Sequence, residues 1–220
     1  MVVTNPDVTR RALMFASRKL RVIQWDYGIP LIESVHDETT GALELPADGT
    51  PIGLLDKAQA SRLANSITIN DIRSHGEGGP TRQIPQQRDV TIGLNPQETN
   101  RANLENWWGI DLSSVVPDAS GAVTFGVESL PEVFLKRTVV YAKDTYQGLP
   151  WCIAVIGNRT NVSDRSEQST PDSEVPGYPY TLNFQGEDAL GGQPVIVDIF
   201  GAGWAAIQDA GVDTGFGAGS

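Results

Sequence analysis

The chain has 220 residues, 40% of them hydrophobic, with 23 glycines and 14 prolines; that is enough apolar side chain for a sizeable core and enough turn formers for many short strands. Its formal net charge of −11 argues against a protein that grips nucleic-acid phosphates, which needs a basic surface. A lone cysteine, Cys152, excludes an intrachain disulfide and a cysteine metal cluster; it sits in the apolar run WCIAVI and is expected as a buried core thiol.

No apolar run reaches the length of a membrane span. The N-terminal MVVTNPDVTRR lacks the apolar stretch of a secretory signal, so synthesis in a cytoplasm is expected. Residues 1–19 read either as a short helix capped by Asn5, with Pro6 at its start, or as an arm that orders on a neighbouring subunit. Leu20 to Trp25 alternates as a strand. A loop-rich stretch runs from Gly28 to Thr50, with Asp48-Gly49 as a turn, and Ile52 to Lys57 reads as a short strand. Ser66 to Ile72 follows as a strand in which Ile67 and Ile69 share a face, expected to pair with Val90 to Leu94. Between them lies RSHGEGGPTRQIPQQRD, Arg73 to Asp89. It is too long for a tight turn and poor in core formers, and reads as a long hairpin loop with a projecting tip.

Val90, Ile92 and Leu94 alternate with Thr91 and Gly93. Asn95 then offers an N-cap, Pro96 a first helical residue and Glu98 a capping-box partner, giving a helix over 95–108. Leu104, Trp107 and Trp108 form its apolar stripe and Gly109 its left-handed stop. Val123, Phe125 and Val127 alternate as another strand. Val133 to Lys143 and Trp151 to Ile156, apolar on both parities, read as central strands. A polar stretch from Asn158 to Gly177 precedes Tyr180, Leu182 and Phe184, the clearest amphipathic strand. Val195 to Phe200 is the last strand, and residues 201–220 read as a flexible glycine-rich arm. The economical reading is one β-rich domain with one main helix and two terminal arms.

Gly201-Ala202-Gly203-Trp204-Ala205-Ala206 matches a dinucleotide fingerprint after a strand. It lacks the βαβ unit and the acidic residue about 20 positions on that such a site needs, so a glycine-flanked turn with Trp204 packed on the sheet is expected. Acidic residues are scattered, His36 and His75 lie far apart, and no nucleophile elbow or P-loop occurs. No catalytic, cofactor-binding or metal-ligating residue is assigned. Adjacent Trp107 and Trp108 cannot share one side of a helix; one faces the core and the other a seam or neighbour.

NDIRSHGEGGP and RDVTIGLNPQETNRANLENWWGIDLS, within Asn70 to Ser113, carry a resemblance that LPADGTPIGLLDKA and YTLNFQGEDALGG extend. In their order of strand, glycine-containing loop, strand and helix, they resemble the major tail tube proteins of long-tailed, siphovirus-type bacteriophages, especially those infecting actinobacteria. The resemblance implies two packed antiparallel sheets, a tail-tube-type β-sandwich or barrel, with a flanking helix, a long projecting hairpin loop and terminal arms. It implies hexameric rings that share an inner barrel and stack into the virion's tail tube. Inter-ring contacts then fall on Arg73, Ser74, His75, Glu77, Pro80, Arg82, Gln83, Ile84 and Gln86. Leu104, Trp107 and Trp108 become the helix-packing or subunit-seam residues. The implied partners are further copies of the chain, a tape measure protein, and tail tip and terminator proteins. DNA passes an acidic lumen without specific binding, and no cofactor, membrane or enzymatic activity is implied. Many tail tube proteins carry an appended immunoglobulin-like domain; on this reading none is expected here. Rival readings are another β-rich virion part (a tail terminator, a minor tail or a capsid decoration protein) and a carbohydrate-binding β-sandwich.

Overall fold

The computed structural model describes residues 12–16, 19–57, 61–73, 75–76, 78–168, 175–212 and 214–216. Among them the protein is mainly β: β1 (Lys19–Asp26), β2 (Thr50–Pro51), β3 (Arg62–Ile72), β4 (Arg82–Leu94), β5 (Lys136–Tyr146), β6 (Leu149–Arg165), β7 (Tyr180–Phe184) and β8 (Ile196–Phe200). The helices are α1 (Arg101–Trp108) and α2 (Ala202–Asp209). The strands form one antiparallel sheet in the order β2-β1-β5-β6-β7-β4-β3, with β8 also paired to β6. The chain divides into two compact units, residues 1–51, 137–156 and 196–220 in the first and 52–136 and 157–195 in the second.

The first unit is built on β1, β5, the first half of β6, and β8. Trp25, Ile32, Val35, Val139, Cys152, Ala154, Ile156 and Phe200 form one buried cluster, each large aliphatic or aromatic member contributing about 1.5–3 kcal/mol by leaving water. Cys152 lies in this core, as expected, and burial pushes its thiol pKa up. The Trp25 indole N–H satisfies itself on the carbonyls of Pro46 and Ala47 at 3.3 and 2.9 Å. Gly49 is required there, since a Cβ on it would lie 2.5 Å from the Trp25 ring. Arg137 is buried but donates to the Ile29 carbonyl at 2.9 Å and lies over the Tyr27 ring.

The second unit packs β4, β7 and the second half of β6 with α1. Tyr180, Leu182 and Phe184 are buried and alternate with half-buried Thr181 and Asn183, as their period-2 spacing requires. β7 lies between β4 and β6, with Ile92 opposite Leu182 and Thr160 opposite Phe184. Burial raises the Tyr180 hydroxyl pKa well above the usual phenol range. The unfolded phenol ionises above about pH 10 while the folded one resists, so stability present below that pH falls as pH rises further. Tyr180→Phe is expected to cost about 1 kcal/mol at neutral pH, from its lost hydrogen bonds, and to flatten the alkaline loss. Urea midpoints at about pH 7 and about pH 11 check both parts.

Several elements differ from the sequence reading. The helix starts at Arg101, not Asn95. Asn100 is its N-cap, with Oδ1 accepting the Asn103 N–H at 3.0 Å. Residues 95–97 instead pair sideways: Pro96 bridges Leu55, Gln97 N–H donates to the Leu54 carbonyl, and the Glu98 carboxylate takes the Leu54 N–H at 2.8 Å. Those backbone bonds outcompete the local capping box. Gly109 does end the helix, at φ 69 and ψ 44. Asn100→Ala is therefore expected to cost about 1 kcal/mol in chemical denaturation.

The helix also buries a different face. Ala102, Asn103, Glu105 and Asn106 are buried, while Leu104 and Trp107 are half-buried and Trp108 is exposed. Asn103 is fully buried because its side-chain amide donates to the carbonyls of Ile52 and Glu98, each at 2.8 Å. Glu105 is reached by Arg101, Lys136 and the Leu112 N–H.

Residues 123–127 form no strand, and 52–57 contribute a single bridge at Leu55. β6 runs on through the polar stretch to Arg165, because β7 pairs with that end. The expected C-terminal arm begins as a helix, α2. The short helix expected around Asn5 and Pro6 lies outside the described residues.

Candidate functional site

β3 and β4 make the most exposed element of the second unit. All 11 residues of β3 are exposed, on both faces, and β3 ends the sheet. One of its edges pairs with β4, from Arg62 opposite Gly93 to Ile72 opposite Arg82. Ser66 to Ile72 therefore pair with 82–89, not with Val90–Leu94 as expected. Arg82 to Asp89 are strand where a loop was expected, and the connecting loop shrinks to 73–81, closed by Thr81 N–H on the Ile72 carbonyl.

The register slips between Thr68 and Ile69, leaving Gln86 without an opposite residue. This is a bulge beside Pro85, a residue that cannot donate to a ladder. The pairing places Leu63, Ile67 and Ile69 on one face with Ile92, Val90, Arg88 and Pro85. At the base of the hairpin Val90 and Ile92 are buried; further out Ile67 and Ile69 remain 47% and 49% exposed. An apolar strand face thus continues beyond the core that it begins in. A long exposed strand edge that carries apolar side chains is a template for pairing or packing with another chain.

Of the expected contact residues, Arg73, His75 and Pro80 lie in the exposed connecting loop, while Arg82, Gln83, Ile84 and Gln86 lie on β4. Gln83 donates to the Asp71 carboxylate across the hairpin at 3.0 Å. Ser74 and Glu77 lie outside the described residues. Trp107 donates its indole N–H to the Ser166 carbonyl at 3.2 Å, and its ring meets Trp108 and Tyr178 edge-on.

A second exposed surface of the same unit was missed by the alternation of Val123, Phe125 and Val127. The chain from Ile110 to Leu135 has no helix or strand. Val116, Leu130 and Val133 are exposed by 78%, 81% and 72%, and a groove of about 510 Å³ runs beside it, lined by Leu104, Leu112, Val115 and Phe125 among others. The segment holds itself by local turns. Asp118 accepts from Ser120 and Ala122, and Asp111 from Ser113; these hydrogen bonds hold both carboxyls below the usual carboxylate range, so they stay ionised. Loops this long without regular structure are uncommon in compact domains and usually carry function.

The first unit brings together residues that sequence spacing cannot. His36 Nδ1 lies 2.8 Å from Asp198 Oδ2, which also accepts the Val35 N–H at 2.9 Å, and the His36 ring stacks on Phe200. The pair ties a loop to β8. Among the described residues no group of three or more His, Cys, Asp or Glu side chains is placed to hold a metal ion, and no helix is long and apolar enough to cross a membrane.

The dinucleotide-like glycines serve packing. A Cβ on Gly201 would lie 2.7 Å from the Pro150 carbonyl oxygen, and one on Gly203 2.6 Å from that of Leu149. Trp204 stacks on Trp151 of β6 at 5.6 Å between ring centres. No family model matches the chain, and no curated protein matches it.

Proposed function

We propose that this chain is a structural virion protein, the subunit of a phage tail tube, which polymerises as stacked hexameric rings and conducts DNA into a host without binding it specifically. The observation that carries the reading is the β3–β4 hairpin, whose outer strand is exposed along its whole length and bears Leu63, Ile67 and Ile69. A protein meant to remain single blunts such an edge with charge, proline or a cover. Here the outer strand is long and uncovered, with Leu63, Ile67 and Ile69 on one face between Arg62 and Asp71, and a neighbouring copy would bury it. The resemblance of Asn70 to Ser113 to tail tube proteins and the net charge of −11 support the same reading, since an acidic wall repels DNA in transit.

On this reading the sheet takes the two-layer form of a tail-tube β-sandwich or barrel, with residues 73–81 as a projecting tip and the terminal segments as arms. A head-to-tail contact that closes by rotation forms the ring, and a second that does not close stacks the rings. Tape measure, tip and terminator proteins set the start, length and end of the tube. The chain acts in the virion, with no bond made or broken and no cofactor.

Negative-stain electron microscopy of the concentrated protein tests this. Hollow tubes with a regular axial repeat are the expected result. Closed single rings would replace the assignment with a tail terminator, and binding to capsids without polymerisation with a decoration protein.

A further inference from the structure

We propose that the segment Asp111–Leu135 receives the β3–β4 hairpin of a second copy of this chain. The inference rests on the assembly reading above and names the receiving surface. The net charges are opposite. The hairpin from Arg62 to Leu94 carries Arg62, Arg73, Arg82 and Arg88 against Asp71, Glu77 and Asp89, whereas residues 111–135 carry Asp111, Asp118, Glu128 and Glu132 with no lysine or arginine. Both surfaces are apolar between their charges: Ile67 and Ile69 on the hairpin, Val116, Leu130 and Val133 on the segment, all exposed. Arg82 and Arg88 on the hairpin would neutralise Glu128 and Glu132 on the segment, a contact that two segments would not offer each other, because like charges would face each other.

The exposure of both surfaces within one chain shows that the contact is not made internally. A contact between two different patches is heterologous, so each copy that docks its hairpin leaves its own segment free for the next. Such a contact closes into a ring where its rotation closes and runs on as an open polymer where it does not.

The test uses the full chain in three forms. Arg82→Glu with Arg88→Glu reverses the hairpin, Glu128→Arg with Glu132→Arg reverses the segment, and the third form carries all four changes. All four side chains are exposed, so folding is checked simply by circular dichroism. Each reversed form alone is expected to raise the critical concentration for assembly at least about tenfold. The four-fold variant, and a mixture seeded with its tubes, is expected to return within about threefold of the unchanged protein. As a second measurement, Gln83→Cys in one copy and Leu130→Cys in another should form an intermolecular disulfide on mixing, against a background set by the buried Cys152.

Tubes that form from the unchanged protein, with no rescue by the four-fold variant and no cross-link, would overturn the receptor assignment while leaving the tube reading in place. An unchanged protein that neither polymerises nor cross-links at high concentration, and is absent from purified tails, would overturn both.

Discussion

Ile67→Asp together with Ile69→Asp should leave a folded protein that no longer assembles. Both side chains are about half exposed, so the fold forfeits the buried half of each, about 1 kcal/mol, and stays within the stability of a domain. The new carboxylate at 67 even faces Arg88 across the hairpin, a favourable cross-strand pair. In an assembled tube the account differs. Each isoleucine would forfeit about 1 kcal/mol of further burial, and each carboxylate would cost at least about 1 kcal/mol more to desolvate. The sum is about 4 kcal/mol per contact, or roughly a thousandfold in association constant. Sedimentation across a concentration series reads the loss, and a native circular-dichroism spectrum with a cooperative melt separates it from unfolding. Tubes at the ordinary critical concentration would show that this apolar face is not an interface.

Gly201→Ala should act in the opposite way, on the fold itself. Gly201 has φ 114, a backbone region where L side chains rarely sit, and its missing Cβ leaves room for the Pro150 carbonyl and the Trp151 backbone at 2.7 and 2.8 Å. Strain at the residue and displacement of β6 each cost about 1–3 kcal/mol, so a loss of about 3–5 kcal/mol is expected, large against the total stability of a domain. The measurement is urea unfolding followed by tryptophan fluorescence, to which the stacked Trp151 and Trp204 respond directly. If these glycines served a nucleotide instead, the unchanged protein would gain stability on adding one; no such gain is expected.

Strands that bury one face were legible because their partner is water on one side and core on the other. Tyr180, Leu182 and Phe184 declare themselves by alternation, and Leu20 to Trp25 by the same rule. Elements that break the rule were not legible. Arg82 to Asp89 is polar, includes Pro85 and is exposed on nearly every side chain, so nothing in its composition separates a solvated strand from a loop; only pairing with β3 does. Val123, Phe125 and Val127 show the converse, alternation without a partner strand. The buried face of α1 escaped because Asn103, Glu105 and Asn106 are satisfied by distant partners: the Ile52 carbonyl, Lys136 and the Tyr180 hydroxyl. Hydrophobic periodicity cannot register a core contact made by amides. The Asn95-Pro96 start signal was real chemistry overruled by the bridge to Leu55. His36 and Asp198 are 162 residues apart, a separation across which no local pattern operates.

The interleaving of the two units along the chain sets an order of events during synthesis. β1 ends at Asp26 and its neighbour in the sheet, β5, begins at Lys136. At bacterial-scale elongation of about 5–20 residues per second, β1 waits roughly 5–20 s for that partner. β8, which closes the Trp25 cluster through Phe200, emerges later still. The β3–β4 hairpin has no such delay, because its partners are adjacent in sequence and local contacts form first. The hairpin proposed above as an interface is thus complete while the rest of the chain is still being made. On the tube reading, a polysome translating many copies would bring nascent hairpins into premature contact, and shielding them until β8 has paired would raise the yield of subunits able to assemble.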